Sequence, residues 1–84
     1  MYNYSWKEDA LHQLSKLATS VALLIDDKIE NYLTQEPRSN SKTLKGKHKG
    51  LWRYRIGNYR VTYAIDEPTK TIIITRVSHR KDGY

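Results

Sequence analysis

The chain has 84 residues, no cysteine and a formal net charge of +6. That length suits one small domain, residues 1–84, and not two. The missing cysteine excludes disulfides and thiolate zinc sites and fits a reducing compartment. No apolar run approaches the ~20 residues of a membrane span, and no charged-then-apolar leader opens the chain. No membrane partner is expected, therefore, and the cytoplasm is the expected location.

The charge is uneven. Residues 1–41 carry four Lys/Arg against six Asp/Glu, for −2, whereas residues 42–84 carry eleven against three, for +8. Such asymmetry points to a polyanionic partner, most often nucleic acid, rather than to a basic surface kept for solubility.

Tyr2 to Trp6 alternates aromatic with polar residues and predicts a short first strand. Ser5-Trp6-Lys7-Glu8 fits a capping box, S-x-x-E, opening a helix over residues 6 to 17. Leu11, Leu14 and Leu17 line one face of that helix, and Lys7, Glu8, His12, Gln13 and Lys16 line the other. Thr19 or Ser20 can cap a second helix, with Val21, Ile25, Ile29, Tyr32 and Leu33 along one face. The short link makes the pair an antiparallel hairpin, and Glu36-Pro37 stops the second helix. Arg38 to Gly50 reads as a polar loop in which Leu44 turns to the core. Its lysines, Lys42, Lys45, Lys47 and Lys49, are either solvated or in contact with phosphate backbone.

Leu51 to Tyr63 carries two alternating runs around Gly57-Asn58, a two-residue hairpin signal. The pairs are then Ile56 with Tyr59, Arg55 with Arg60, Tyr54 with Val61, Arg53 with Thr62 and Trp52 with Tyr63. Aromatic and aliphatic side chains fall on one face, Arg53, Arg55 and Arg60 on the other. Like charges directly opposite destabilise a sheet, so folding alone gives no reason for Arg55 to face Arg60. A surface that binds phosphate does. Asp66 to Lys70 supplies a turn, Thr71 to Ser78 reads as an interior strand, and His79 to Tyr84 is a short tail.

The order β-α-α-β-β-β predicts a two-layer α+β domain, a helical hairpin on one face of a mostly antiparallel sheet. Nothing remains to cover the other face, where the arginines project. Alternation assigns Trp52, Tyr54, Tyr59 and Tyr63 to the helix side as core, against the alternative of a base-stacking platform. No two of the three histidines sit at ligand spacing, so neither a metal nor another cofactor is expected.

The motifs Leu44-Lys45-Gly46, Leu51-Trp52-Arg53-Tyr54-Arg55, Gly57-Asn58-Tyr59-Arg60-Val61-Thr62-Tyr63 and Val77-Ser78-His79-Arg80-Lys81-Asp82-Gly83-Tyr84 stand in an order that covers nearly the whole chain. In this it resembles the RelE/ParE superfamily of bacterial toxins, in particular the RelE-like, ribosome-dependent mRNA interferases. The resemblance implies a type II toxin whose partners are a cognate antitoxin, mRNA in the ribosomal decoding site and ribosomal RNA. It also implies functional roles for Arg53, Arg55, Arg60, Arg80 and Tyr84. Several relatives have lysine at the positions of Arg53 and Arg55, so the general base that the resemblance would imply there is not carried over to these arginines. ParE-like relatives share the fold and act on DNA gyrase instead. An inactive member would bind only its antitoxin and operator DNA.

Without metal ligands, RNA can be cut by its own 2′-OH attacking the adjacent phosphorus. Arginine suits the charge developing there, because its planar fork pairs bidentately with phosphate. Arg60 is assigned to the scissile phosphate, with Arg53 and Arg55 holding it and its neighbours. For the proton transfers, His79 has a suitable unperturbed pKa near 6.5, while Tyr84 needs its own lowered by the arginine field or else stacks on a base. Arg80 stabilises the leaving 5′-oxygen or stacks likewise. Arginine–phosphate contacts carry no sequence information, so the ribosome would present the strand while Lys42, Lys45, Lys47 and Lys49 grip ribosomal RNA.

Overall fold

The hairpin forms with the register that the alternation predicts. In the computed structural model, which describes residues 1–39, 41–44, 46, 50–79 and 81, strand β3 (Trp52–Ile56) pairs antiparallel with β4 (Tyr59–Asp66). All five predicted pairs are present, Arg55 opposite Arg60 among them. Gly57 has φ +58 and Asn58 is not in the left-handed region, the pattern of a type II′ turn, where only the first central residue needs positive φ. The flanking strands can thus keep their right-handed twist.

Three further strands complete the sheet: β1 (Asn3–Trp6), β2 (Ser41–Thr43) and β5 (Thr71–His79). Their spatial order is β1-β5-β4-β3-β2, with β1 parallel to β5 and every other pair antiparallel. The chain leaves β1 at one edge and re-enters the sheet at β2 on the other. The intervening helices must therefore cross one face, which is why that face is covered while the opposite one carries no helical layer among the described residues. They are α1 (Glu8–Ser15) and α2 (Thr19–Lys28), the latter running on into a π-helical turn over Ile29–Leu33. Two helices on a mixed sheet make the α+β class expected from the sequence. Among the described residues no helix is long and apolar enough to cross a membrane.

The core lies between these layers. Ala10, Ile25, Ile29 and Leu33 from the helices meet Ile56, Val61, Tyr63, Ile72, Ile74 and Val77 from the sheet. Trp52, Tyr54 and Tyr59 pack against this cluster, so the aromatic face of the hairpin is core and not a stacking platform.

Several local expectations give way to tertiary demands. The capping box does not form: Ser5 is consumed in β1, opposite Ile73, and the N–H of Lys7 bonds to the Ile74 carbonyl at 2.8 Å. Lys7 stays extended (φ −68°, ψ 153°) at the N-cap, with no side-chain cap. Helix α1 therefore occupies residues 8–15 rather than 6–17. In α2 the N-cap is Ala18, again without a side-chain cap, and Thr19 is already helical. Tyr32 is 55% exposed instead of on the buried face, because the wide turn, closed by Thr34 N–H donating to the Ile29 carbonyl at 3.1 Å, breaks the 3.6-residue period. The Lys28 ammonium lies 4.5 Å from the Tyr32 ring centre. The segment read as loop contains β2, whose three polar residues carry no strand-like alternation. Leu44 is half-buried outside the core cluster, and His79 closes β5 rather than opening a tail.

Tyr63 is fully buried, and its hydroxyl bridges the Pro37 carbonyl and the Ser41 hydroxyl. It thereby ties the entry to β2 onto β4. Burial pushes this phenol up to about 12, the bond to Ser41 offsetting part of the effect. A folded-state pKa above the unfolded value near 10 means that the native protein holds the proton longer. This stability is fully present below about pH 10 and declines towards about pH 12, as the unfolded chain ionises first. Two pH units correspond to a loss of roughly 2–3 kcal/mol. Urea unfolding at about pH 9 and about pH 11.5 measures it. The Tyr63→Phe variant is expected to lose less stability over that interval than the parent, and an equal loss in both would contradict the assignment.

Candidate functional site

Along β2, β3 and β4 every second side chain emerges on the uncovered face. Lys42 stands opposite Arg53, and Arg53 opposite Thr62. One step along the strands, Arg55 stands opposite Arg60. Lys42, Arg53, Arg55 and Arg60 line a single concavity of about 120 Å³. Strand β5 extends both rows, with Arg76 opposite Thr62 and Ser78 opposite Arg60.

Cross-strand Cβ atoms lie ~5 Å apart. Two unit charges held that close would repel by about 1 kcal/mol in bulk water and about 3 kcal/mol at the effective dielectric near a protein surface, and side chains that splay apart would repel less. No ion pair among the described residues offsets this repulsion. Among the described residues Glu67 forms the ion pairs, with Arg38 and with Lys70, and no carboxylate is paired with Lys42, Arg53, Arg55 or Arg60. Arg55 is braced by its Nε–H, which donates to the Gly57 carbonyl at 3.1 Å. Arg53 and Arg60 are half-buried and Arg55 and Lys42 exposed, so the charges lie at the surface with their stems against the sheet. An anion seated here turns mutual repulsion into shared attraction, and arginine forks suit phosphate oxygens.

Anchors outside the concavity hold β2 in place. Besides the Tyr63 bridge, Arg38 donates to Glu67 and, at 3.3 Å, to the Tyr2 hydroxyl, which itself donates to Glu67 at 2.8 Å. The hydrogen bond from Arg38, then that from Tyr2, holds the Glu67 carboxyl below its usual range. The Arg38 guanidinium also lies 5.9 Å from the Trp52 ring centre. These contacts fix the chain just before Lys42, which therefore joins the arginines instead of hanging in a loop.

His79 does not join them. It pairs with Tyr59 on the helix side of the sheet, their rings edge to face with centroids 5.1 Å apart. It lines a separate hollow with Gln13, Lys16 and Leu17 of the helical layer. Lys45, Lys47, Lys49, Arg80 and Tyr84 lie outside the described residues. The sequence reading does not single out Arg76. The available signal was the spacing of Ile74 and Val77, both core residues three apart on one strand, which strict alternation forbids.

The family described as "ParE toxin of type II toxin-antitoxin system, parDE" matches residues 4–84. Toxin RelG of Mycobacterium tuberculosis is 31% identical over 83 residues, spanning 99% of this chain and 95% of that toxin. Toxin RelE of the same organism is 28% identical over 83 residues, spanning 99% and 86%. Among solved structures, the toxin–antitoxin complex RelBE2 of M. tuberculosis is similar with a TM-score of 0.89 and 30% identity, over 94% of this chain and 98% of the matched one.

Proposed function

This chain belongs to the RelE/ParE superfamily of type II toxin–antitoxin toxins, and we propose that within it the protein is a ribosome-dependent endoribonuclease that cuts mRNA. The observation that carries this reading is the convergence of Lys42, Arg53, Arg55 and Arg60 on one concavity of bare sheet, with no carboxylate paired to any of them among the described residues. The reaction forms a bond from the ribose 2′-oxygen to phosphorus and breaks the bond from phosphorus to the 5′-oxygen. One proton leaves the 2′-OH and one reaches the departing oxygen, giving a 2′,3′-cyclic phosphate and a 5′-OH. Arg60 takes the non-bridging oxygens of the scissile phosphate, where charge builds. Arg53 and Arg55 hold the same group and its neighbours in line, and Lys42 adds a point charge beside Arg53.

Guanidinium groups stay protonated and cannot serve as bases. With His79 turned to the helix side, Tyr84 is the candidate for proton transfer and Arg80 for the leaving oxygen, both carried over from the family resemblance. Lys45, Lys47 and Lys49 complete the basic surface towards ribosomal RNA. A cognate antitoxin covers the exposed charge when the toxin is silent, as fits a chain whose relative RelBE2 is a toxin–antitoxin complex.

A second reading has its own support, because the matching family bears the ParE name and the superfamily includes toxins that are not nucleases. One experiment separates the two. After brief induction, primer extension on a translated reporter mRNA should show new 5′ ends that an untranslated copy of the same message lacks. Growth arrest with DNA damage signalling and intact message would transfer the assignment to a protein target.

A further inference from the structure

Strand β5 carries a bulge. Its register with β4 pairs Thr62 with Arg76 but Tyr63 with Ile74, leaving Thr75 as an extra residue. The hydroxyl of Thr75 donates to the Thr62 carbonyl at 3.2 Å. The bulge changes which face each side chain meets. Ile72 and Ile74 point into the core, and so does Val77, beyond the insertion. An unbroken strand would send Arg76 after Ile74 into the apolar layer, where a guanidinium is costly to bury. The extra residue turns it onto the uncovered face, half-buried and in one cross-strand row with Lys42, Arg53 and Thr62.

A core problem alone does not explain this device, since an apolar residue at position 76 would solve it without interrupting the ladder. The destination is also unfavourable for folding, because the face already carries Lys42, Arg53, Arg55 and Arg60. Bulges recur beside functional sites, where they re-aim a side chain. Arg76 is engaged within the protein, and its guanidinium carries five N–H donors in a planar fork. Between Arg53 and Arg76, moreover, Thr62 is buried with its Oγ1 lacking a hydrogen-bond partner among the described residues.

We infer that Arg76 is a further phosphate-contacting residue of this site, delivered by the bulge at Thr75 to hold the backbone phosphate adjacent to the one at Arg60. The inference rests on the endoribonuclease reading and adds a second anion position to it. The row of Arg76 and Arg53 lies two residues along β4 from the row of Arg55 and Arg60, ~7 Å at the rise of a strand. That step is comparable to the separation of neighbouring phosphates in an extended strand. The ligand is single-stranded RNA, bound through its backbone and without regard to base.

The test uses the full chain and a short 2′-O-methyl RNA oligonucleotide, which cannot be cut, with binding followed by fluorescence anisotropy over a range of salt. Arg76→Gln is expected to weaken binding about tenfold at low salt and to lower the slope of log affinity against log salt by about 0.7. Arg76→Lys, which keeps the charge, should keep the slope. Independently of any variant, the oligonucleotide should protect Arg76 of the parent protein from phenylglyoxal, as read by mass spectrometry. Unchanged affinity and slope in a folded Arg76→Gln protein, or full modification of Arg76 in the complex, overturns the inference. Should Arg60→Ala weaken binding while Arg76→Gln does not, the inference alone falls. Should neither variant matter, the nuclease reading falls with it.

Discussion

Replacing Arg60 by alanine is expected to lower cleavage of translated mRNA by about 10²–10³-fold, the usual loss when one pre-organised donor is removed from developing charge. Arg60 sits on β4, flanked by Arg55 on β3 and Ser78 on β5, so its loss leaves Arg55 as the guanidinium of that row and removes one of the forks proposed to share the scissile phosphate. The fold should survive. Arg60 is paired with no carboxylate among the described residues, and removing it relieves the repulsion from Arg55. Thermal unfolding of the variant should match the parent or lie slightly above it. Arg60→Lys should fall between the two in activity, since an ammonium keeps the charge and loses the bidentate fork. Primer extension after induction and a melting curve give both numbers. Undiminished growth arrest from a well-folded Arg60→Ala protein would remove the central member of the proposed site.

The largest effect on stability is expected from Ile74→Ala. Ile74 has no exposed surface and lies on β5 between Trp6 of β1 and Tyr63 of β4, beneath the helices. Truncating a buried isoleucine in a close-packed core costs about 2–5 kcal/mol, the transfer of the lost carbons plus the cavity left behind. A domain of this length has a total of roughly 4–13 kcal/mol at the usual stability per residue. The variant should therefore lose from about a seventh to essentially all of its stability, with a melting temperature lower by roughly 8–40 °C. Leu23→Ala is the control: at 65% exposure it should cost no more than about 0.5 kcal/mol. Comparable losses in the two variants would mean that β5 is not the centre of the core.

Much of this was legible beforehand, because hairpin and sheet obey a period of two that the sequence displays openly. Gly57-Asn58 sets the turn, and alternation on either side then sorts every side chain from Trp52 to Tyr63 onto one of two faces. The same logic exposed the opposed arginines as a pairing that folding does not need. It failed where a residue's local preference competed with a distant partner. Ser5 is a good helix cap by its own chemistry, yet the ladder with β5 takes it, because several backbone hydrogen bonds outweigh one side-chain cap. Ser41 to Thr43 has no strand pattern of its own and becomes β2 only because β3 presents an unpaired edge and Tyr63 anchors its approach.

The amino-acid order by itself thus determined a two-layer α+β domain, its aromatic core face and a row of arginines on bare sheet. Only the tertiary structure decided which other residues share that row. Pairing with β3 brought Lys42 in, alternation beyond Val77 sent His79 away to the helices, and the bulge at Thr75 turned Arg76 towards the arginines. The physical reason is that facing is set by phase. Within one strand phase follows from the residues themselves, but an inserted residue or a strand borrowed from a loop shifts it, and both depend on partners far away in the chain.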